Sequence, residues 1–534
     1  MKKALSVFIL LTFSWLAAQS EFVFVYFKDK PNKAAFYANP TSELSQKSLD
    51  RRARFSIPLN DQDAPIEAAY IKNITDLGFT VKDYSKWMNG VALHATPEQI
   101  ETLKAQSYVQ SVESFIKHPA PAKLTAQKVD KFALFNKTTA KTDFNYGLGL
   151  AQINQINLRP LHISGFTGKG MTIAVIDTGF PQVDTGSVYD RIRNNGQIKG
   201  GYNFIGKNNF IYSNTLNNHG SYVLGVIAAY VENQFVGSAP DADFYLYATE
   251  DADNEVPEEQ LYWTEAAEEA DRKGVDLITT SLGYYEFDDP RYNLLYSDMD
   301  GKTSFIARTA QIATEKGIFV VASAGNEAQK PWHYIITPAD NEKVFAVGAV
   351  TAAGTSSSFS SFGPNALGRV KPDASARGTA TYMGYDNSVV SSSGTSFAAP
   401  LAAGGIACLL QALPQKKVDE ISELLRQNAS LYPDSTPQMG YGILNFAQTL
   451  EAALSTSDLN KRGKIQIYPN PVVKTFTIKT DEIIKSVNLF DVTGRKIIGF
   501  KQEKFNNIEH LAPGLYYLQV ETDKNRYVEK LIKQ

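Results

Sequence analysis

The sequence predicts an α/β protein. A doubly wound, mostly parallel sheet makes the main domain, with a small α+β unit before it and a small β-sandwich after it. Three observations lead there. In the middle of the chain, near-continuous apolar runs alternate with helical segments, the pattern of parallel strands covered on both faces. Ahead of them, short strand-like runs flank a well-capped helix. Toward the end the apolar period shortens to two, as in half-buried antiparallel strands.

Size and charge bound the rest. The 534 residues suffice for several domains, and 43% hydrophobic with 20% charged residues is ordinary for globular protein. Lys plus Arg number 53 against 56 Asp plus Glu, a net charge of −3, which gives no reason to expect nucleic acid or an acidic membrane surface as partner. Cys408 is the only cysteine, so no intrachain disulfide forms; its apolar neighbours Ile406, Ala407, Leu409 and Leu410 point to a buried structural residue.

In chain order, Lys2 and Lys3 precede an apolar run from Ala4 to Ala18 that ends in small residues. This is the layout of a signal peptide over 1–19, and it implies export. The run is too short for a comfortable bilayer span, and a buried N-terminal helix is the alternative. Residues 20–118 read as the α+β unit, with strands at Phe22–Phe27, Gly90–Leu93 and Val109–Val112. Its helix opens at Thr96-Pro97-Glu98-Gln99: Thr96 caps, Pro97 sits where a missing N–H costs nothing, and Gln99 completes a capping box. Residues 119–145 carry Pro119, Pro121 and five lysines with few apolar residues, an exposed linker suited to proteolytic cutting.

The main domain spans 146–454. Strands are expected at Met171–Ile176, Val275–Thr279, Ile318–Ala322 and Val344–Val350. Helices are expected at His219–Ala229, Glu258–Lys273 (stopped by Gly274) and Thr303–Lys316 (stopped by Gly317). A polar linker, 455–464, leads to the β-sandwich at 465–534, where Phe476/Ile478, Val487/Leu489 and Tyr516/Leu518/Val520 alternate and Thr493-Gly494 and Pro513-Gly514 mark turns.

Chemistry-bearing residues concentrate at strand ends, where open parallel sheets bind ligands. Asp177 directly follows the run Ile173–Ile176. His219 begins a helix whose glycines permit close packing. Ser396 lies in Gly394-Thr395-Ser396-Phe397-Ala398-Ala399-Pro400 at the start of an apolar helix, with Pro400 read as a first-turn residue. Unpaired N–H groups at such a terminus stabilise a developing oxyanion, and Asn326, just past the strand Ile318–Ala322, offers a second donor. Taken singly, each has a plain reading: a turn Asp, a structural His, a capping Ser, a turn Asn.

Together these stretches resemble the subtilase family of serine peptidases. The matching segments are Ile176-Asp177-Thr178-Gly179, His219-Gly220-Ser221, Ser281-Leu282-Gly283, Ala324-Gly325-Asn326-Glu327 and the Ser396 motif, in the family order Asp, His, Ser. The resemblance implies a secreted endopeptidase acting on protein or peptide substrates through a Ser396–His219–Asp177 triad, with Asn326 and the Ser396 N–H as oxyanion hole. It implies that Ser281, Leu282 and Gly283 pair with the substrate backbone and that Ser323, Ala324 and Gly325 wall the primary specificity pocket. One departure is Tyr222, where the family often has a second His.

Residues 89–113 resemble the inhibitory propeptide of this family, which implies a zymogen whose own propeptide is an intramolecular inhibitor; a substrate-binding accessory domain is the alternative. The last region resembles the C-terminal sorting domain of type IX secretion substrates, through Tyr468-Pro469-Asn470-Pro471, Asp491–Arg495, Leu511–Tyr516 and Lys530–Lys533. That implies outer-membrane secretion machinery as a partner; an adhesive or carbohydrate-binding module is the alternative. No cofactor is needed for the chemistry. Structural Ca²⁺ is compatible with the family, but Asp298-Met299-Asp300-Gly301 lacks the acidic residue a calcium loop needs, since Thr309 stands there, and no ligands are assigned. The contrasting expectation is an inactive binding or adhesion protein on the same scaffold.

Overall fold

The structure is a computed structural model that describes residues 19–118, 146–462, 465–480, 482–491, 495–500, 506–523 and 526–534. The expected signal peptide, apart from its last residue, and the linker 119–145 lie outside them. The chain divides into two compact units, Met1–Thr449 and Leu450–Gln534.

At the centre of the first unit is a 7-stranded sheet in the order Ala374–Arg377, Phe345–Val350, Phe319–Ser323, Leu277–Thr280, Thr172–Asp177, Asp243–Ala248, Ile198–Asn203. Every pairing in it is parallel. Thr172–Asp177 comes first in sequence yet lies inside the sheet. The chain goes from it to the edge strand Ile198–Asn203, returns to fill in Asp243–Ala248, and then builds outward on the other side from Leu277–Thr280, so Asp177 ends the strand at the topological switch point, where such sheets open a crevice. The expected strands and helices are present within a residue or two. Glu259–Lys273 stops at Gly274, which adopts the left-handed φ of 77° that glycine tolerates best.

Helix Thr395–Ala412 packs across one face of the sheet. Among the described residues it is the one helix long and apolar enough to cross a bilayer, and it is a core helix instead, buried over most of its length. Pro400 is its sixth residue, in the second turn rather than the first, so the expectation of a harmless first-turn proline is corrected. The missing N–H would have bonded the Ser396 carbonyl; the Ser281 hydroxyl donates to that carbonyl in its place, at 2.9 Å. Cys408 lies buried on this helix, and burial pushes its thiol well above the usual value, as an inert core residue requires.

The N-terminal unit is a 4-stranded antiparallel sheet, Val81–Ser85, Gly90–Ala95, Glu21–Phe27 and Val109–Ser114 in spatial order. The Thr96 capping box forms as read: Thr96 Oγ1 accepts from the Gln99 N–H and Gln99 Oε1 from the Thr96 N–H. One face of this sheet packs on helices Glu259–Lys273 and Phe305–Glu315, with Phe22, Phe24, Trp87 and Phe115 sharing a core with Trp263 and Phe305. At that contact, buried Glu268 accepts from Ser85 Oγ, Lys86 N and Trp87 N at 2.5, 3.1 and 3.0 Å.

Between Phe27 and Gly90, where no element is expected, Gln46–Phe55 forms a helix capped by Ser45. It buries Arg51 and Arg52 against Asp271 of the main domain, and Asp63 pairs with Arg52 and Lys316, both at 2.9 Å. A second difference concerns 455–464, expected as a linker: helix Phe446–Arg462 runs through most of it. The stretch is polar but contains neither Gly nor Pro before Gly463, so nothing stops the helix.

The second unit contains two antiparallel sheets, Gln466–Tyr468 with Thr475–Lys479 and Asn506–Asn507, and Lys496–Phe500 with Ile484–Phe490, Gly514–Thr522 and Arg526–Lys533. They enclose Phe476, Val487, Leu489, Leu518 and Val520, the residues whose alternation predicted the sandwich.

Candidate active site

Asp177 is fully buried at the carboxyl end of its strand. Its Oδ1 accepts from the Thr178 N–H at 2.8 Å and from His219 Nδ1 at 2.7 Å. The carboxylate contact sets the His219 tautomer with the proton on Nδ1, which makes Nε2 the basic nitrogen. His219 is the first residue of helix His219–Ala228, and its own N–H donates to Asn217 Oδ1 at 2.9 Å. This helix can approach the strand end only because Gly220 follows: a Cβ there would lie 2.4 Å from the Gly179 carbonyl and 3.0 Å from Asp177 Cβ.

Ser396 is the second residue of its helix, so its N–H belongs to the first turn, where no intrahelical acceptor exists. Its neighbour Phe397 lies against the imidazole, ring centroids 5.9 Å apart. Asn326 is positioned by a residue the sequence reading passed over: Thr395 donates its N–H and its hydroxyl to Asn326 Oδ1, each at 2.9 Å. With Oδ1 so engaged, Nδ2 is the amide's outward group, and it lies 3.7 Å from where a Gly394 Cβ would stand. Thr395 stands inside the motif already singled out; its role becomes visible only when the start of helix Thr395–Ala412 meets the loop after strand Phe319–Ser323.

Ser281, Leu282 and Gly283 follow strand Leu277–Thr280, and Ser323, Ala324 and Gly325 close and follow the adjacent strand Phe319–Ser323. The two segments therefore leave neighbouring strands on the side of Ser396, and Ser281 is bonded to it. Tyr222 packs on Tyr385 with centroids 4.2 Å apart, and burial pushes its hydroxyl well above the usual value. Tyr284 is buried and donates to Glu250 at 2.8 Å, while Tyr285 stacks on Trp332 and donates to Glu327 at 2.8 Å.

The acidic loop at Asp298–Gly301 holds its carboxylates on protein donors. Asp298 Oδ2 accepts from the Leu295 N–H and contacts His118 Nε2; Asp300 Oδ1 accepts from the N–H groups of Lys302 and Thr303. Thr309 is buried in a helix, bonded to Thr264. The one cluster among the described residues with the spacing to hold a cation is Glu250, Glu255 and Glu259, whose carboxylate oxygens lie within 4.8 Å of one another.

Residues 168–448 match the subtilase family, which is more than half the chain. The chain belongs to the subtilase family. Residues 22–131 match the peptidase S8 propeptide domain of Bacteroidota, and 466–534 match a secretion system C-terminal sorting domain, which marks this subtilase for export to the cell surface or beyond. The chain is 27% identical over 419 residues to Subtilisin NAT of Bacillus subtilis subsp. natto, covering 77% of this chain and 93% of that protein. It is 29% identical over 311 residues to serine protease AprX of Bacillus subtilis, covering 52% of this chain and 66% of AprX, slightly under two thirds of it. In fold it is similar to the crystal structure of the epidermin leader peptide processing serine protease of Staphylococcus aureus, with a TM-score of 0.55, 18% identity, and coverage of 82% of this chain and 99% of that one.

Proposed function

We propose that this subtilase is an active endopeptidase, made as a zymogen and secreted, that hydrolyses peptide bonds in proteins through Asp177, His219 and Ser396. The observation that carries the reading is the buried 2.7 Å contact between Asp177 Oδ1 and His219 Nδ1 at the sheet's carboxyl edge, with the start of the Ser396 helix beside the imidazole.

In this reading Ser396 Oγ attacks the scissile carbonyl while His219 Nε2 takes its proton. The tetrahedral intermediate collapses to an acyl-enzyme as His219 protonates the leaving amine, and water then repeats the sequence in reverse. Asp177 holds the imidazole in the required tautomer and stabilises its cationic form. Asn326 Nδ2 and the Ser396 N–H receive the oxyanion, and the Thr395 clamp on Asn326 Oδ1 supports that assignment, because it orients the amide before substrate arrives. The chemistry draws on the chain's own groups.

The same reading assigns 1–19 as signal peptide, 20–118 as inhibitory propeptide, 119–145 as the stretch cut on activation, 146–454 as the peptidase and 465–534 as the sorting domain removed after export. The partners are then protein or peptide substrates, the chain's own propeptide and the outer-membrane secretion machinery. The test is casein hydrolysis by the secreted protein with N-terminal sequencing of the product. Turnover that is absent in Ser396→Ala, and a mature N-terminus within 119–145, are expected. Processed, folded wild-type protein without turnover would favour the inactive binding scaffold.

A further inference from the structure

Resting on the reading above, in which the Ser281–Gly283 and Ser323–Gly325 segments flank the substrate, the substrate residue just before the cut bond must enter between two strand ends. Strand Leu277–Thr280 pairs with Phe319–Ser323 in parallel, so the two segments that follow them start one strand spacing apart, about 4.8 Å. Ser281 is bonded to Ser396 and Gly325 directly precedes Asn326, so both segments border the reacting carbonyl. Each carries a glycine, Gly283 on one side and Gly325 on the other. Two facing glycines normally leave room for a side chain between them.

Here that room is occupied. A Cβ on Gly283 would lie 2.6 Å from both Cδ1 and Cγ1 of Ile336, and a Cβ on Gly325 would lie 3.1 Å from the same two atoms. One side chain therefore fills the space that both glycines leave open. Ile336 is also held in place. Its neighbour Thr337 exchanges backbone hydrogen bonds with Tyr284, at 2.9 and 3.3 Å, and Ile335 donates its N–H to the Phe362 carbonyl at 2.9 Å. The segment is thus pinned on both sides, and a β-branched side chain has little freedom at χ1 to swing away. Ile335 is fully buried, whereas Ile336 is 8% exposed, as a residue at the floor of a shallow recess would be. On the Gly325 side Ser361 Oγ closes the space further, 2.8 Å from the Cβ position.

We propose that Ile336 blocks the primary specificity pocket, so that this enzyme cuts after Gly, Ala or Ser and rejects long or aromatic residues at that position. A mismatch of a single methylene in an apolar pocket changes kcat/KM by roughly 10–200-fold, and Leu or Phe exceeds Ala by several such groups. Ile336 is thereby a specificity-determining residue, separate from the groups that perform the chemistry.

The experiment uses the processed enzyme and tetrapeptide p-nitroanilides that differ only in the residue before the anilide: Ala, Leu or Phe. Wild type is expected to favour Ala over Phe in kcat/KM by at least about tenfold. Ile336→Ala and Ile336→Gly are expected to shift that ratio toward Phe by on the order of 10–100-fold. A fluorophosphonate titrates the reactive serine in every sample. Wild type that labels at Ser396 yet prefers Phe or Leu, or folded variants that label and keep the wild-type ratio, would overturn the pocket assignment alone. Wild type that neither labels nor turns over any anilide would overturn the peptidase reading, and the pocket with it. Should neither variant fold, the wild-type profile across the three anilides decides.

Discussion

Asp271 offers a demanding test of how the N-terminal unit is held on the main domain. Its carboxylate is fully buried and receives Arg51 through Oδ1 and Arg52 through Oδ2, the latter at 2.6 Å. Both guanidiniums are themselves buried, and burial pushes that of Arg51 below its usual value against the pull of Asp271. Asp271→Ala would leave two buried cations without their shared counter-charge. Breaking a buried pair costs about 3–5 kcal/mol. Here the low end applies, because Arg52 keeps Asp63 at 2.9 Å and Arg51 keeps the carbonyls of Val275 and, at 3.2 Å, Lys316. The assay is thermal unfolding of the full chain in a Ser396→Ala background, which prevents self-digestion. A loss of about 3 kcal/mol should lower Tm by about 3 °C in a unit of this size. The control is Asp76→Ala, which removes a pair to Lys72 whose side chains are 58% and 72% exposed and should cost less than about 0.5 kcal/mol. Equal effects of the two substitutions would refute the idea that Gln46–Phe55 is anchored through Asp271.

Asn326→Ala should lower kcat by about 10²–10³ with KM little changed, the range for losing an oxyanion donor in a subtilisin; stopped assays with a peptide anilide measure it, and a change confined to KM would contradict the role. Asp340 is buried, accepts the Gly301 N–H at 2.7 Å, and burial pushes its carboxyl from 3.8 up to about 6. Its folded pKa lies above the unfolded one, so stability is lost as pH rises from about 4 to about 6, by about 3 kcal/mol at most. Asp340→Asn removes that dependence, so its Tm relative to the Ser396→Ala background should improve between pH 4.5 and pH 7.5; a difference that does not move with pH would be the contrary result.

The parts of this architecture that could be read in the sequence are those set by neighbours in the chain. The apolar run Ile173–Ile176 becomes a buried strand, Thr96 and Gln99 close their capping box, and Phe476, Val487 and Leu518 turn inward as their alternation requires. The Ser396 motif was legible because it concentrates a helix start, a serine and small residues in seven positions. What escaped depends on distant partners. Gln46–Phe55 looks like a solvated segment, since Arg51 and Arg52 are rarely buried unpaired, and only Asp271 and Asp63 make their burial tolerable. Pro400 looked like a first-turn residue until the helix start at Thr395 placed it a turn deeper, where Ser281 supplies the donor that proline lacks. Ile336 carries no local signal; its meaning comes from two glycines on neighbouring strand ends.

The central claim, that Ser396 is a nucleophile activated by His219, is tested most directly by fluorophosphonate labelling of the processed protein with the adduct mapped by mass spectrometry. A single adduct on Ser396 is expected, lost in Ser396→Ala and formed at least about a hundredfold more slowly in His219→Ala. An adduct on another residue, or unchanged labelling in either variant, would contradict it.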